Sequence, residues 1–141
     1  MEIDPSVRAF VERQRVARLG TVDAAGRPHV VPVTFALLGE RVYWAVDEKP
    51  KTTTRLMRLR NIEANPGVTL LFDEYDDDWT RLAWVMLRGV ARAVVDEQER
   101  AEAIAALRAR YAQYAAMRLE ERPLIRIDVE ATTRWGAVGG R

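Results

Sequence analysis

The 141 residues suit one domain, 48% hydrophobic and 30% charged, with a formal net charge of +1. That near-balance excludes a general electrostatic grip on nucleic acid or an anionic membrane, so any anion site must be local. With no cysteine there is neither a disulfide framework nor a thiolate metal site. No apolar run approaches the roughly 20 residues of a bilayer span, and "MEIDPSVRAF" lacks an apolar signal core, which points to a cytoplasmic protein with no membrane partner.

The chain opens with Asp4 as N-cap, Pro5 at the first helical position, and Val7, Phe10 and Val11 at helical spacing, so a short helix is expected. "ARLGTVDAAGRPHVVPVTFALLGERVYWAV" is rich in β-branched and aromatic residues and broken by "DAAGR" and "LGE", which gives three strands in succession. Short turns make them antiparallel, because a parallel pair needs a crossover of about a dozen residues. "TTTRLMRLRNIEAN" predicts an amphipathic helix with Leu56, Leu59 and Ile62 on one face and Arg55, Arg58 and Arg60 largely off it. It stops at Pro66-Gly67.

"VTLLFDEY" and "LAWVMLRGVARAVV" read as two further strands around "DDDWTR", with Gly89 marking a bulge or bend. "DEQERAEAIAALRARYAQYAAM" has acidic residues in its first turn and Ile104, Leu107, Tyr111 and Tyr114 at helical spacing, the longest helix. "PLIRIDVEA" is a closing strand and "TTRWGAVGGR" a glycine-bearing tail. The expected fold class is α+β: about six antiparallel strands in a small barrel with helices packed outside it, as one domain over residues 1–141. Four tryptophans and two long apolar strands present more apolar surface than short helices cover, so a homodimer is expected.

Lys49 and Lys51 are the only lysines in a chain that otherwise uses arginine. They fall in a polar loop between a strand ending near Val46 and the start of a helix, where unpaired backbone N–H groups and threonine hydroxyls can receive a phosphate. Lys51, Arg55 and Arg58 lie near enough to add charge-assisted bonds. The same residues also fit a solvated helix face.

Other groups point less sharply. His29 is the sole histidine, which excludes a histidine-based metal cluster; it packs beside a turn or approaches a ligand at a cleft edge. The acidic run from Asp73 to Asp78 lacks the glycine and distal glutamate of an EF-hand loop and reads as a solvated hairpin turn. Trp79, Trp84 and Trp135 form either a platform for a ring or core and interface packing.

"GRPHVVPVTF" together with "KPKTTTRLMRLRNIEANPGVTLLFD" resembles the pyridoxamine 5'-phosphate oxidase-like split β-barrel superfamily, and in particular its actinobacterial branch of deazaflavin (coenzyme F420)-dependent oxidoreductases. The resemblance runs from "ARLGTVDAAGRP" to "TTRWGAV". It implies a cofactor phosphate held by the stretch from Lys49 to Arg58, with Lys49, Lys51, Thr52, Thr53, Arg55 and Arg58 as contacts. It further implies a ring along two strands, with Pro32, Val33, Thr34 and Phe35 on one side and Trp44, Ala45 and Val46 near the other. A second subunit would supply Trp79, Arg88 or Trp135. Flavin-using oxidases of this kind carry an arginine in the second strand; "HVVPVTF" has none, which favours F420 over flavin mononucleotide (FMN). The implied reaction is hydride transfer to a small conjugated or electron-poor substrate, with the cofactor supplying the reactive atom and no protein residue assigned as catalytic. The alternatives are an FMN-dependent enzyme of the same superfamily and a non-catalytic carrier or sensor of F420 or FMN.

Overall fold

The computed structural model describes residues 2–46 and 57–139. Asp4 caps α1 (Pro5–Arg13), its carboxylate accepting from the Ser6 N–H at 2.8 Å and the Ser6 hydroxyl at 2.6 Å. Val7, Phe10 and Val11 face inward from this helix and are fully buried.

Seven strands make one sheet: β1 (Ala17–Val22), β2 (Pro28–Val33), β3 (Ala36–Leu38), β4 (Arg41–Ala45), β5 (Gly67–Glu74), β6 (Ala83–Ala93) and β7 (Leu124–Gly136). The order across the sheet is β2-β1-β5-β6-β7-β4-β3, and every pairing is antiparallel. The fold class is therefore the expected one, an α+β split barrel. One detail differs: the run expected as a single second strand is two strands, separated by Thr34 and Phe35 and lying at opposite edges of the sheet. Val33 and Ala36 are three Cα steps apart, at most about 11 Å. The sheet must therefore curl until its two edges nearly meet at this seam, and that curl makes the barrel.

Inside the barrel, Leu19, Leu70, Phe72, Val85, Leu87, Ile127, Phe35 and Trp44 form the main core with the buried face of α1. Phe35 and Phe72 meet edge to face, with ring centroids 5.0 Å apart. The structure places a β-bulge at the glycine expected to mark one. Arg88 pairs with Ala131 and Gly89 with Val129, leaving Glu130 as the extra residue on β7. The "TTRWG" stretch, expected as tail, continues β7 to Gly136 because β6 is long enough to pair with it.

On the outside, α3 (Glu97–Arg110) lies against β3, β4 and β7, burying Ala103, Ile104 and Leu107 with Ala36, Tyr43, Ala45 and Leu124. It is shorter than expected. Tyr111 and Tyr114 follow its C-terminus, the latter in a 3-10 turn at Ala112–Ala116. The N-terminus is capped by Asp96, which accepts from the Glu99 N–H at 2.9 Å.

Glu99 then holds the helix to the sheet, accepting from the Tyr43 hydroxyl at 2.6 Å, from Arg126 at 3.0 Å and from Arg41 at 3.3 Å. Burial alone raises its pKa, but hydrogen bonds from Tyr43 and Arg126 outweigh that and hold it below the ordinary value of 4.5. The stability Glu99 supplies is thus fully present above that value and lost as pH falls through the lower, folded one. As pH falls through 4.5 and below it, the unfolding midpoint of the protein should fall more steeply than that of Glu99→Gln. Parallel slopes in denaturant melts would show that the network is not coupled to folding.

Candidate functional site

α2 (Met57–Ala64) closes the barrel end beside the β1–β2 turn. Asparagines fix it there: Asn61 Nδ2 donates to Thr21 Oγ1 at 2.9 Å, and Asn65 Nδ2 donates to the Asp23 carbonyl at 2.9 Å and the Val22 carbonyl at 3.3 Å. Arg58 shares the buried face with Asn61 and Ile62. Its guanidinium carbon lies 5.4 Å from the centroid of the Trp44 ring, and the residue is only 9% exposed. This corrects the expectation that Arg58 lies off the buried face. Positions 58, 61, 62 and 65 form one helical stripe, and the indole of another strand gives the cation a partner within it.

Trp44 is fully buried, and its indole Nε1 has no hydrogen-bond partner among the described residues. A buried donor left this way costs about 1–3 kcal/mol, so the position favours an acceptor from outside the described residues. Lys49, Lys51, Thr52, Thr53 and Arg55 themselves lie outside the described residues. So does Leu56 of the expected apolar helix face.

The residues expected to flank a ring do not share one surface, because strand side chains alternate. Val33, Phe35, Trp44 and Val46 point into the core, Pro32 is exposed on the outside of β2, and Ala45 is packed under α3. Thr34, at the seam, is half-buried and shares a hydrogen bond with the Tyr114 hydroxyl. Beside it the Phe35 N–H donates to Tyr111 Oη at 3.2 Å, and Tyr111 donates to the Arg15 carbonyl at 2.9 Å. Arg110 completes this corner, its guanidinium carbon 4.7 Å from the Phe35 ring centroid. The two tyrosines had no signal in the sequence beyond helical spacing, yet they hold the seam.

A second surface stands outside the barrel. The outward residues of β1, β5, β6 and β7 form rows: Trp84 opposite Trp135; Arg18, Leu71, Met86 and Thr133; then Gly20, Thr69, Arg88 and Ala131. Trp84, Leu71 and Met86 are half-buried, and Trp135 is 51% exposed. Arg88 donates to Thr133 Oγ1 at 3.5 Å. Trp79, 71% exposed, sits in the β5–β6 hairpin with its Nε1 3.5 Å from the Tyr75 hydroxyl. Trp84, Trp135, Leu71 and Met86 thus put apolar side chains on the outer face of this antiparallel sheet. Trp79, Arg88 and Trp135 are thus on the exterior, whereas Trp44 and Arg58 are inside, and the sheet separates the two sets.

The acidic run forms the expected hairpin. Asp78 caps a 3-10 turn (Trp79–Arg81), and its pKa is lowered by hydrogen bonds from the Thr80 hydroxyl and N–H. His29 points inward opposite Thr21, with a buried Nδ1 that has no partner among the described residues. Among the described residues no group of three or more metal-ligating side chains occurs, and no helix is long and apolar enough to cross a membrane.

The family described as pyridoxamine 5'-phosphate oxidase matches residues 3–136. No curated protein matches the chain. Among solved structures, a conserved hypothetical protein from Mycobacterium tuberculosis is similar with a TM-score of 0.78 at 20% identity, covering 96% of this chain and 86% of that one. The heme storage protein HutZ from Vibrio cholerae gives 0.71 at 22% identity, covering 96% and 95%. An FAD-binding protein from Mesorhizobium loti gives 0.68 at 20% identity, covering 90% and 87%. At these identities the likeness is one of fold.

Proposed function

Because the chain belongs to the pyridoxamine 5'-phosphate oxidase family, we propose that it is a homodimeric oxidoreductase of the cytoplasm that uses coenzyme F420 to transfer hydride to or from a small conjugated or electron-poor substrate. The observation that carries this reading is the division of the site. An arginine and an indole with a spare donor close one barrel end, while arginines and tryptophans stand on the uncovered outer face, and only a second chain can bring the two sets to one ligand.

The phosphate is assigned to Lys49, Lys51, Thr52, Thr53 and Arg55 with Arg58. The deazaflavin supplies the hydride when bound. The chain's own part is to bind it, orient the ring beside the seam at Thr34, and exclude water from the reacting face. Thr34 and Tyr114 place a shared hydroxyl pair there. β2, Pro28–Val33, carries no arginine, which supports the deazaflavin over FMN.

Titration of the purified protein with F420 and with FMN tests the reading, with F420 expected to bind more tightly. Arg58→Ala should weaken binding by about ten- to a hundredfold, since a charge-assisted bond is worth roughly 1.5–3 kcal/mol. Arg58→Met, which keeps the contact with Trp44 but not the charge, should weaken it equally, so loss of packing is separated from loss of charge. Tighter binding of FMN would overturn the deazaflavin assignment. Tight F420 binding with no turnover on any electron-poor acceptor would make the protein a carrier.

A further inference from the structure

The ladder between β1 and β2 ends at the pair of Ala17 with Val33, one step short of a bond that its alternation provides. Pro32, opposite Arg18, and Pro28, opposite Val22, have no N–H to give, so the hydrogen-bonded pairs are Thr21 with His29, Leu19 with Val31 and Ala17 with Val33. The next of that series is Arg15 with Phe35, where the Phe35 N–H would donate to the Arg15 carbonyl. A tyrosine hydroxyl stands between them instead. Tyr111 Oη accepts from the Phe35 N–H at 3.2 Å and donates to the Arg15 carbonyl at 2.9 Å. Both backbone groups are satisfied while the strands part around one hydroxyl.

This wedge is anchored from outside the strands. Tyr111 ends α3, its N–H bonded to the Leu107 carbonyl at 3.0 Å, and the guanidinium carbons of Arg15 and Arg110 lie 4.6 and 5.3 Å from its ring centroid. Arg110 donates to the Glu12 and Gln14 carbonyls at 3.1 and 2.7 Å, and Arg15 donates to the Arg110 carbonyl. The ends of α1 and α3 are thus tied together around the ring, and they set where the hydroxyl stands. Thr34 is the residue inside the gap. With Arg15 and Phe35 bonded directly it would stand opposite Val16 as one more position of β2. Instead it shares a hydrogen bond with the hydroxyl of Tyr114, whose ring meets Tyr111 edge to face at 5.6 Å. We infer that Tyr111 is a positioning residue for the bound ring: by holding open the last step of the β1–β2 ladder it sets the Thr34 hydroxyl at the seam. The role rests on the place proposed for the ring beside Thr34 and adds the residue that fixes that place.

A tyrosine that merely props the fold would lower stability without acting through Thr34, and a double-mutant cycle separates the two roles. Dissociation constants are measured by fluorescence titration for the full chain, Tyr111→Phe, Thr34→Val and the double variant, at a temperature where melting curves show all four folded. The ligand is whichever of F420 and FMN the parent binds more tightly. Each single change should weaken binding about fivefold, the worth of one neutral hydrogen bond, and the double variant should bind no more weakly than either single. Tyr111→Phe binding as tightly as the parent, or a double variant weakened by the product of the two single effects, would overturn the positioning role. A preference for FMN would overturn the deazaflavin assignment, and the cycle is then read with FMN. A parent that binds neither ligand would overturn the proposed site and the positioning role with it.

Discussion

Gly89→Ala should cost about 3 kcal/mol or more and leave a chain that folds poorly. A Cβ built at Gly89 would lie 2.1 Å from the Asp128 carbonyl oxygen and 2.9 Å from its carbon. Both are backbone atoms on the paired strand, so neither can swing aside as a flexible side chain would. The close approach is a product of the bulge, where Glu130 is squeezed out of the pairing and β7 leans onto β6. Gly67, also in a strand, has nothing within 4 Å of such an atom, and Gly67→Ala should change stability by about 0.5 kcal/mol or less. Equal denaturant midpoints for the two variants would show that β7 can move away and that the bulge is not rigid.

Phe35→Ala is the second large effect, about 3–5 kcal/mol, as for other fully buried aromatics replaced by alanine. Phe35 has no exposed surface and packs edge to face on Phe72 beneath Arg110. It also occupies the seam, so the cavity would open at the place where the two sheet edges meet. Tyr111→Phe probes the same corner more gently, since it removes the acceptor of the Phe35 N–H and the donor to the Arg15 carbonyl but leaves the ring, at about 1–3 kcal/mol. A Phe35→Ala loss no greater than that of Tyr111→Phe would mean that the seam collapses to fill the space.

Local features were legible in the sequence wherever the cause is itself local. Asp4 and Pro5 start α1, acidic residues follow the Asp96 cap of α3, and Gly89 marks the bulge. The seam was not, because "HVVPVTFAL" has no glycine or proline between Val33 and Ala36 and reads as one continuous apolar strand. Its division follows from the curl of the entire sheet. Arg58 was misplaced for a related reason, since helical periodicity says nothing of an indole arriving from β4. The uncovered face was partly legible, in that both faces of the long strands carry apolar residues. Its rows needed the register.

The position of β2 at the sheet margin bears on solubility. A strand there usually exposes a line of backbone donors on which another chain can build, the route to edge-to-edge aggregation. Here Pro28 and Pro32 lack the N–H altogether, and they alternate with Val30 along the side of the strand that does not pair with β1. The opposite margin, β3, is three residues long. Neither margin therefore offers a long row of free donors, which limits edge-to-edge association between copies.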